Sequence, residues 1–285
     1  MRFQLIDAAK KEFPVRRLCK VLGVSQSGYF AWRSRPVSRR QREDRVLLAH
    51  VRSAFQRSNG TYGSHRITRE LQDAGLGVGR RRTARLMREN GLTARQKRRF
   101  TRTTDSHHAF PVAPNLLEQD FSAERPNQKW AADISYVWTN EGWLYLAVIL
   151  DLFARRVVGW AVSDRLHQEL ALEALRRALA IRWPSAGLIH HADRGSQYCA
   201  TAYQAELRKH GIRISMSGKG NCFDNAVVET FFKTLKSELV WRTVFQTRAE
   251  AKQAIGSYID GFYNPIRRHS TLDYVSPVQF EKMAT

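Results

Sequence analysis

Three acidic residues stand in settings where a charge is costly. Asp133 interrupts the strand-like apolar run Trp130-Ala-Ala-Asp-Ile-Ser-Tyr-Val137, and Asp193 closes a second such run, Leu188-Ile-His-His-Ala-Asp193. Glu229 follows after 35 intervening residues, on a helical pattern. Carboxylates drawn together from two strand ends and a helix repel one another unless a divalent cation lies between them. Hard oxygen ligands with open positions suit Mg²⁺ or Mn²⁺, and such a site serves phosphodiester chemistry by paired metal ions. Lys233 and Lys236 stand four and seven residues after Glu229, so the three share one helical stripe. That stripe puts two ammonium groups beside a carboxylate, as phosphate binding requires. Taken alone, Glu229 and Lys233 are an ordinary i, i+4 pair worth about 0.2–0.5 kcal/mol.

Other candidates fit blander roles. Asp151 ends a strand and suits a turn-capping aspartate. Asp224 begins the Glu229 helix, where it can cap and complement the dipole. His191 shares the strand face of Asp193 and either lines the site or packs as a structural histidine.

The elements that must position these groups are legible from periodicity. Strands are expected at Lys129–Val137, Trp143–Asp151, Val157–Val162, Leu188–Ala192 and Arg213–Met216, and helices at Leu166–Arg182 and Thr201–His210. Val228, Phe231, Phe232, Leu235 and Leu239 form the apolar stripe that packs the Glu229 helix on the sheet. Three hairpin-linked strands followed by helix–strand alternation imply an α/β domain with a mixed five-stranded sheet flanked by helices.

An all-α front precedes it. Residues 1–36 read as a helix-turn-helix: Val15, Leu18, Val21 and Leu22 share one face, Gly23 turns the chain, and Ser25 caps a second helix through Tyr29, Phe30 and Trp32. Residues 37–95 read as a second such region, entered by a charged connector near 36–45. Its first helix is capped by Ser64 and carries Ile67 and Leu71, and its second is a recognition helix. There Arg81, Arg85 and Arg88 fall at i, i+4 and i+7 on one face without acidic partners, a candidate DNA-binding stripe. Residues 96–122 read as a basic linker and 123–285 as the catalytic core with a C-terminal basic tail.

Charge follows the same division. Of the net +21, residues 1–110 hold 26 Lys+Arg against 8 Asp+Glu, whereas residues 111–285 hold 21 against 18. The front is a footprint for a polyanion and the back an ordinary surface around an acidic site. Three scattered cysteines exclude a disulfide framework or a Cys-x-x-Cys zinc site, and fit reduced thiols in a cytoplasmic protein. His107-His108 has no cysteine pair at zinc-finger spacing and reads as a polar linker pair. No apolar run reaches membrane-spanning length.

Several strings carry a specific resemblance across essentially the whole chain: Trp130-Ala-Ala-Asp-Ile-Ser-Tyr136, Asp151-Leu-Phe-Ala-Arg-Arg-Val-Val-Gly-Trp160, His190-His-Ala-Asp-Arg-Gly-Ser-Gln-Tyr198, the Ser217–Lys236 segment, and Tyr263-Asn-Pro-Ile-Arg-Arg-His269 within the tail. They closely resemble the second-frame (OrfB) transposases of bacterial insertion sequences of the insertion-sequence-three type, whose core is similar to that of retroviral integrases. The resemblance implies a ribonuclease-H-like fold, with Asp133, Asp193 and Glu229 as the catalytic, metal-binding triad. It matches Lys236 to a lysine that contacts the element's end and Lys233 to a less regular position of the same kind. The zinc-binding domain of retroviral integrases has no counterpart here, so basic helices must dock the DNA. Two ions about 4 Å apart are expected, with water hydrolysing a phosphodiester and the freed 3′-OH then attacking another, without a covalent enzyme intermediate or ATP. The family's active form is generally a frameshift fusion with an upstream-frame (OrfA) product, so that partner and a homo-oligomer on paired element ends are expected. Two alternatives are a metal-dependent nuclease of the same fold, which cuts without joining, and a non-catalytic DNA-binding regulator.

Overall fold

The computed structural model describes residues 1–94, 113–218 and 222–284. The basic run Gln96–Arg102 and His107-His108 lie outside these residues. Within residues 1–36 there are three helices, α1 (Arg2–Ala9), α2 (Val15–Val21) and α3 (Gln26–Ser34). The Ser25 hydroxyl accepts the Gly28 N–H at 3.0 Å, capping α3 as its sequence position requires. Gly23, at φ +60°, ends α2 in the left-handed conformation that glycine adopts freely. Ile6, Cys19 and Tyr29 make a small core ringed by Phe3, Leu18, Leu22 and Trp32. Val21, expected on the apolar face, is instead 76% exposed, because two turns of α2 bury only the Leu18 and Cys19 side.

The expected charged connector is the start of a long helix, α4 (Arg39–Arg57), opened by a reciprocal capping box between Ser38 and Gln41. Then come α5 (Ser64–Asp73) and α6 (Arg80–Glu89). Gly63, not Ser64, occupies the cap position of α5. Leu47, Val51, Ala54, Ile67, Leu71, Leu86 and Met87 of these three helices lie in one apolar cluster with Phe231, Phe262 and Tyr263 of the sheet domain.

The sheet contains β1 (Lys129–Thr139), β2 (Gly142–Asp151), β3 (Arg156–Ser163), β4 (Ile189–Ala192) and β5 (Arg213–Met216) in the order β3-β2-β1-β4-β5. β1, β2 and β3 are antiparallel, while β4 and β5 run parallel to β1. This is the ribonuclease-H-like arrangement. α7 (Gln168–Arg182), α8 (Ser196–Cys199) and α9 (Thr201–Lys209) cover one face, packing on Trp130, Ala132 and Ile149. Close approach of α7 needs Gly159 on β3, where a Cβ would collide with the Ala174 carbonyl and lie 2.7 Å from the Ala178 Cβ. α10 (Ala226–Glu238) and α11 (Arg248–Tyr258) cover the other face, packing on Ala131, Val137 and Leu146. The stripe Val228, Phe231, Phe232 and Leu235 is buried as its period requires.

Two expected boundaries move. The end of the presumed linker belongs to the core: Leu117 is buried, the Leu116 N–H bonds Ser215 Oγ at 2.8 Å, and Met216 N–H bonds the Pro114 carbonyl at 3.2 Å. The presumed basic tail is also folded. A π-turn at Ile259–Tyr263 and helix α12 (Pro277–Met283) follow α11. The Asn264 amide bonds both the N–H and the carbonyl of Val157, at 3.0 and 2.9 Å, beside an irregularity in the β2–β3 ladder. Arg267 forms a bidentate buried pair with Glu238, at 2.9 and 2.7 Å. Arg268 reaches the second helical unit, bonding Glu70 at 2.7 Å and Asp73 at 2.6 Å, while its N–H bonds the Tyr62 hydroxyl at 2.8 Å. Charge in this segment therefore ties elements together rather than facing solvent. Among the described residues no helix is long and apolar enough to cross a membrane.

Candidate active site

Strand register explains why a charge interrupts β1. β4 pairs with β1 only along Lys129–Ala132, and the last pair is Ala132 with Ala192. Asp133 and Asp193 are the next residue on each chain, so both carboxylates arise where two parallel neighbours stop pairing. Neighbouring strands are roughly 4.8 Å apart. Ala131 and Val137 pack against α10. With a side-chain period of two, Asp133 faces the same way, towards Glu229 in the first turn of α10.

The electrostatics match this convergence. Burial, then the charge of Asp193, then that of Glu229 hold the Asp133 carboxyl well above its ordinary range, opposed by the Ile134 N–H at 2.7 Å and by Lys236. Asp133 nevertheless keeps part of its surface open. Asp193 accepts the Gly195 N–H at 2.9 Å. Glu229 lies 3.8 Å from Lys233, whose side chain is 68% exposed. Lys236 is half-buried, and burial lowers its ammonium pKa while Asp133 opposes that shift. Among the described residues, no three His, Cys, Asp or Glu side chains close into a ready metal cluster. The acids come within electrostatic reach of one another without clasping, as like charges should.

The donor set nevertheless suits a hard cation. Asp133 feels the charge of both Asp193 and Glu229, and beside Asp133 the Asn225 Oδ1 is buried with no hydrogen-bond partner while its Nδ2 donates to the Ala132 carbonyl at 3.2 Å. Sequence reasoning passed over Asn225, and Tyr198 as well. The Tyr198 hydroxyl is buried without a partner. Burial, Tyr203 and then the charges of Asp133 and Asp193 raise its pKa well above the ordinary value. The available signal was nearness in sequence, Tyr198 standing five residues after Asp193 and Asn225 four before Glu229.

The competing acids have structural partners. Asp151 accepts the Phe153 N–H at 3.0 Å, as a turn cap should, and also the Asn127 N–H at 2.8 Å and Arg182 at 3.0 Å. Asp224 does not cap α10, whose cap position is Asn225; it accepts the Gly218 N–H at 2.8 Å and the Asn115 amide at 3.1 Å. His191 packs between Ser215 and Ser217 at 2.8 and 3.2 Å, and burial lowers its pKa to about 4. It is a structural histidine.

On α6 the expected acid-free arginine stripe is broken. Arg85 bonds Asp44 of α4 at 2.6 Å and Glu89 at 2.9 Å, and Arg82 joins Asp44 at 2.7 Å. Asp44 was invisible as a partner because it lies on another helix, whereas Glu89 stands at i, i+4 from Arg85 and was legible in the sequence. Arg81 and Arg88 remain exposed.

Comparison with known proteins agrees with this architecture. An integrase core domain model matches residues 123–222, a second integrase core domain model matches 229–284, and an HTH-like domain model matches 41–100. An insertion element IS600 protein of 31 kDa from Shigella sonnei is 48% identical over 93% of this chain and 97% of its own length. The transposase InsF for insertion sequence IS3A from Escherichia coli K12 is 44% identical over 99% of this chain and 98% of its own. Among solved structures, the simian T-cell lymphotropic virus intasome aligns with a TM-score of 0.47 and 18% identity, over 80% of this chain and 73% of that one. The HTLV-2 integrase catalytic core domain in complex with magnesium aligns with a TM-score of 0.43 and 15% identity, over 55% of this chain and 97% of that one.

Proposed function

The chain belongs to the insertion-sequence transposases of the IS3 type, and from that premise we propose that it cuts and joins DNA ends through Asp133, Asp193 and Glu229. The observation that carries the reading is the Ala132–Ala192 register pair, after which β4 ends and β1 runs on, so Asp193 and Asp133 each follow the last parallel pair. Glu229 is close enough to raise the Asp133 pKa.

Asp133, Asp193 and Glu229 would hold Mg²⁺ or Mn²⁺, two ions being the expected number. When bound, such ions supply Lewis acidity at the phosphorus and neutralise charge that builds on the attacking and leaving oxygens. The chain's own groups do the rest. Three carboxylates in a partly desolvated pocket make a charge deficit that favours a cation over an empty site. Lys233 and Lys236 beside them hold the phosphates of the strand to be cut, and the fixed strand ends keep the displacement in line. Arg81 and Arg88 on α6 grip duplex backbone further from the break. Arg85 contributes by bracing α6 against α4. Because two element ends must meet, the working form is an oligomer on DNA, supported by the upstream-frame product.

The test is cleavage and joining of labelled element ends by Asp133→Asn, Asp193→Asn and Glu229→Gln, with and without magnesium. Loss of both reactions with DNA binding retained is the expected result. Cutting without joined products marks a nuclease of the same fold, and end binding indifferent to magnesium marks a regulator. Retained strand transfer in any one variant removes that residue from the mechanism.

A further inference from the structure

Past Ala132, among the described residues, β1 has no strand partner on its β4 side until Thr139 bridges Phe245 beside the β1–β2 hairpin. There the chain does something unusual for an exposed tip. Trp138 is 56% exposed and its cross-strand partner Trp143 is 44% exposed. The Trp143 ring meets Trp138 edge-on, with centroids 4.8 Å apart, and also meets Tyr136 edge-on at 5.0 Å. A cross-strand aromatic pair steadies a hairpin by itself. It does not explain why Lys236 lies over the Tyr136 ring, 5.0 Å from its centroid, while also acting on Asp133. Tyr136 and Trp138 lie on the sheet face opposite Asp133, and this one ammonium, beside the edge that β4 leaves open, connects the aromatic tip with the acidic site.

Exposed rings beside a cation are the ingredients of a single-strand binding platform, where every base can stack because every base has a π-face. Charge complementarity points the same way: Lys236 flanks the ledge at Tyr136, and the Arg248 Nε donates to the Trp143 carbonyl at 3.1 Å. We infer that Tyr136, Trp138 and Trp143 form a stacking ledge for an unpaired nucleobase of the DNA strand presented to the carboxylates, with Trp138 as the open platform. This rests on the DNA-cleaving reading above and extends it to the form of the substrate: the end is bound with its terminal base pair opened. Opening a pair costs unstacking energy that an aromatic surface can return.

The experiment uses the full chain without magnesium, so that nothing is cut. The probe is a duplex ending in a splayed strand that carries the fluorescent base 2-aminopurine, compared with a fully paired duplex. The expected result is quenching of the splayed base by the unmodified protein. Trp138→Ala should abolish it and weaken splayed-end binding roughly 5- to 100-fold, leaving paired-duplex binding unchanged. Trp138→Tyr, which keeps a ring, should retain most of both. Quenching absent in the unmodified chain, quenching unchanged by Trp138→Ala, or equal loss in both variants overturns the ledge. So does a change in self-association without a change in quenching, which would make the tip a protein interface. Asp133-dependent cleavage without base stacking defeats the ledge alone. Base stacking by a chain that never cleaves defeats the catalytic reading alone.

Discussion

The two helical units in front of the sheet are each three helices, yet they are held in opposite ways. Residues 2–34 close around Ile6, Cys19 and Tyr29, a core of their own. Residues 39–90 have no separate core, because Val51, Ile67 and Leu71 share one cluster with Phe231, Phe262 and Tyr263. The lesson is that a helix-turn-helix pattern in sequence says nothing about independence. What decides it is whether the apolar face meets its own helices or a neighbour, and here the neighbour is the folded C-terminal segment.

That contrast can be broken most severely at Arg267. Its pair with Glu238 is buried on both sides, with the Tyr258 hydroxyl also bonding Glu238 at 2.7 Å. Arg267→Ala leaves an uncompensated carboxylate and should destabilise the shared body by about 3–5 kcal/mol. Hydrogen exchange resolved by segment should then rise in α4, α5 and α6 together with α10, with no change in residues 2–34. A rise confined to the sheet domain would show that the second unit stands alone after all.

A smaller effect comes from acidity. Burial, then the charges of Arg267, Arg66 and Arg155, hold the pKa of His269 down at about 2, and its ring packs edge-on against Tyr263 at 5.0 Å. The folded protein keeps this imidazole neutral, whereas the unfolded chain binds a proton below its ordinary value of 6.5. Stability is therefore complete above pH 6.5 and lost as pH falls below it, by about 2 kcal/mol at pH 5 from this ring. Residues 1–36 contain no histidine, so their melting should not respond in that window. Chemical denaturation at pH 7 and pH 5, with His269→Gln as control, checks this. An equal loss in the control would place the sensitivity elsewhere.

The smallest change probes the other side of the contrast. Ser25→Ala removes the cap of α3 and should cost about 1 kcal/mol, felt in residues 2–34 and not in the shared body. Local exchange in α2 and α3 measures it, and a shift in the melting of the sheet domain would mean the first unit is coupled to it.

All five strands were readable because β-branched and aromatic residues alternate or run together between turn residues, and the hairpins left no choice of order for β1, β2 and β3. Asp133 stood out as a candidate for the same reason, since a carboxylate inside Trp130–Val137 has no structural excuse, and Asp193 by closing the run Leu188–Ala192. α4 was not, because its apolar positions Leu47, Val51 and Ala54 are diluted by arginines that look like a linker. The cross-helix partner of Arg82 and Arg85 was also hidden, since Asp44 lies 38 and 41 residues away and only folding brings it to α6. The role of Arg267 and Arg268 was missed because a run of charge near a chain end looks like a solvated tail. What a linear reading lacks is the distant apolar surface that makes such charges worth ordering.

The hydrogen bond between Tyr62 and the Arg268 amide spans 206 residues, and that span has a consequence for how the protein is born. A ribosome delivers α4, α5 and α6 long before the segment that completes their core. During that interval their apolar faces stay uncovered while their arginines are already free to meet nucleic acid. The first unit has no such wait and matures as soon as Ser34 emerges. Losing the last twenty residues would therefore damage the front of the molecule as much as the back, and proofreading of an incomplete chain is written into the order of synthesis.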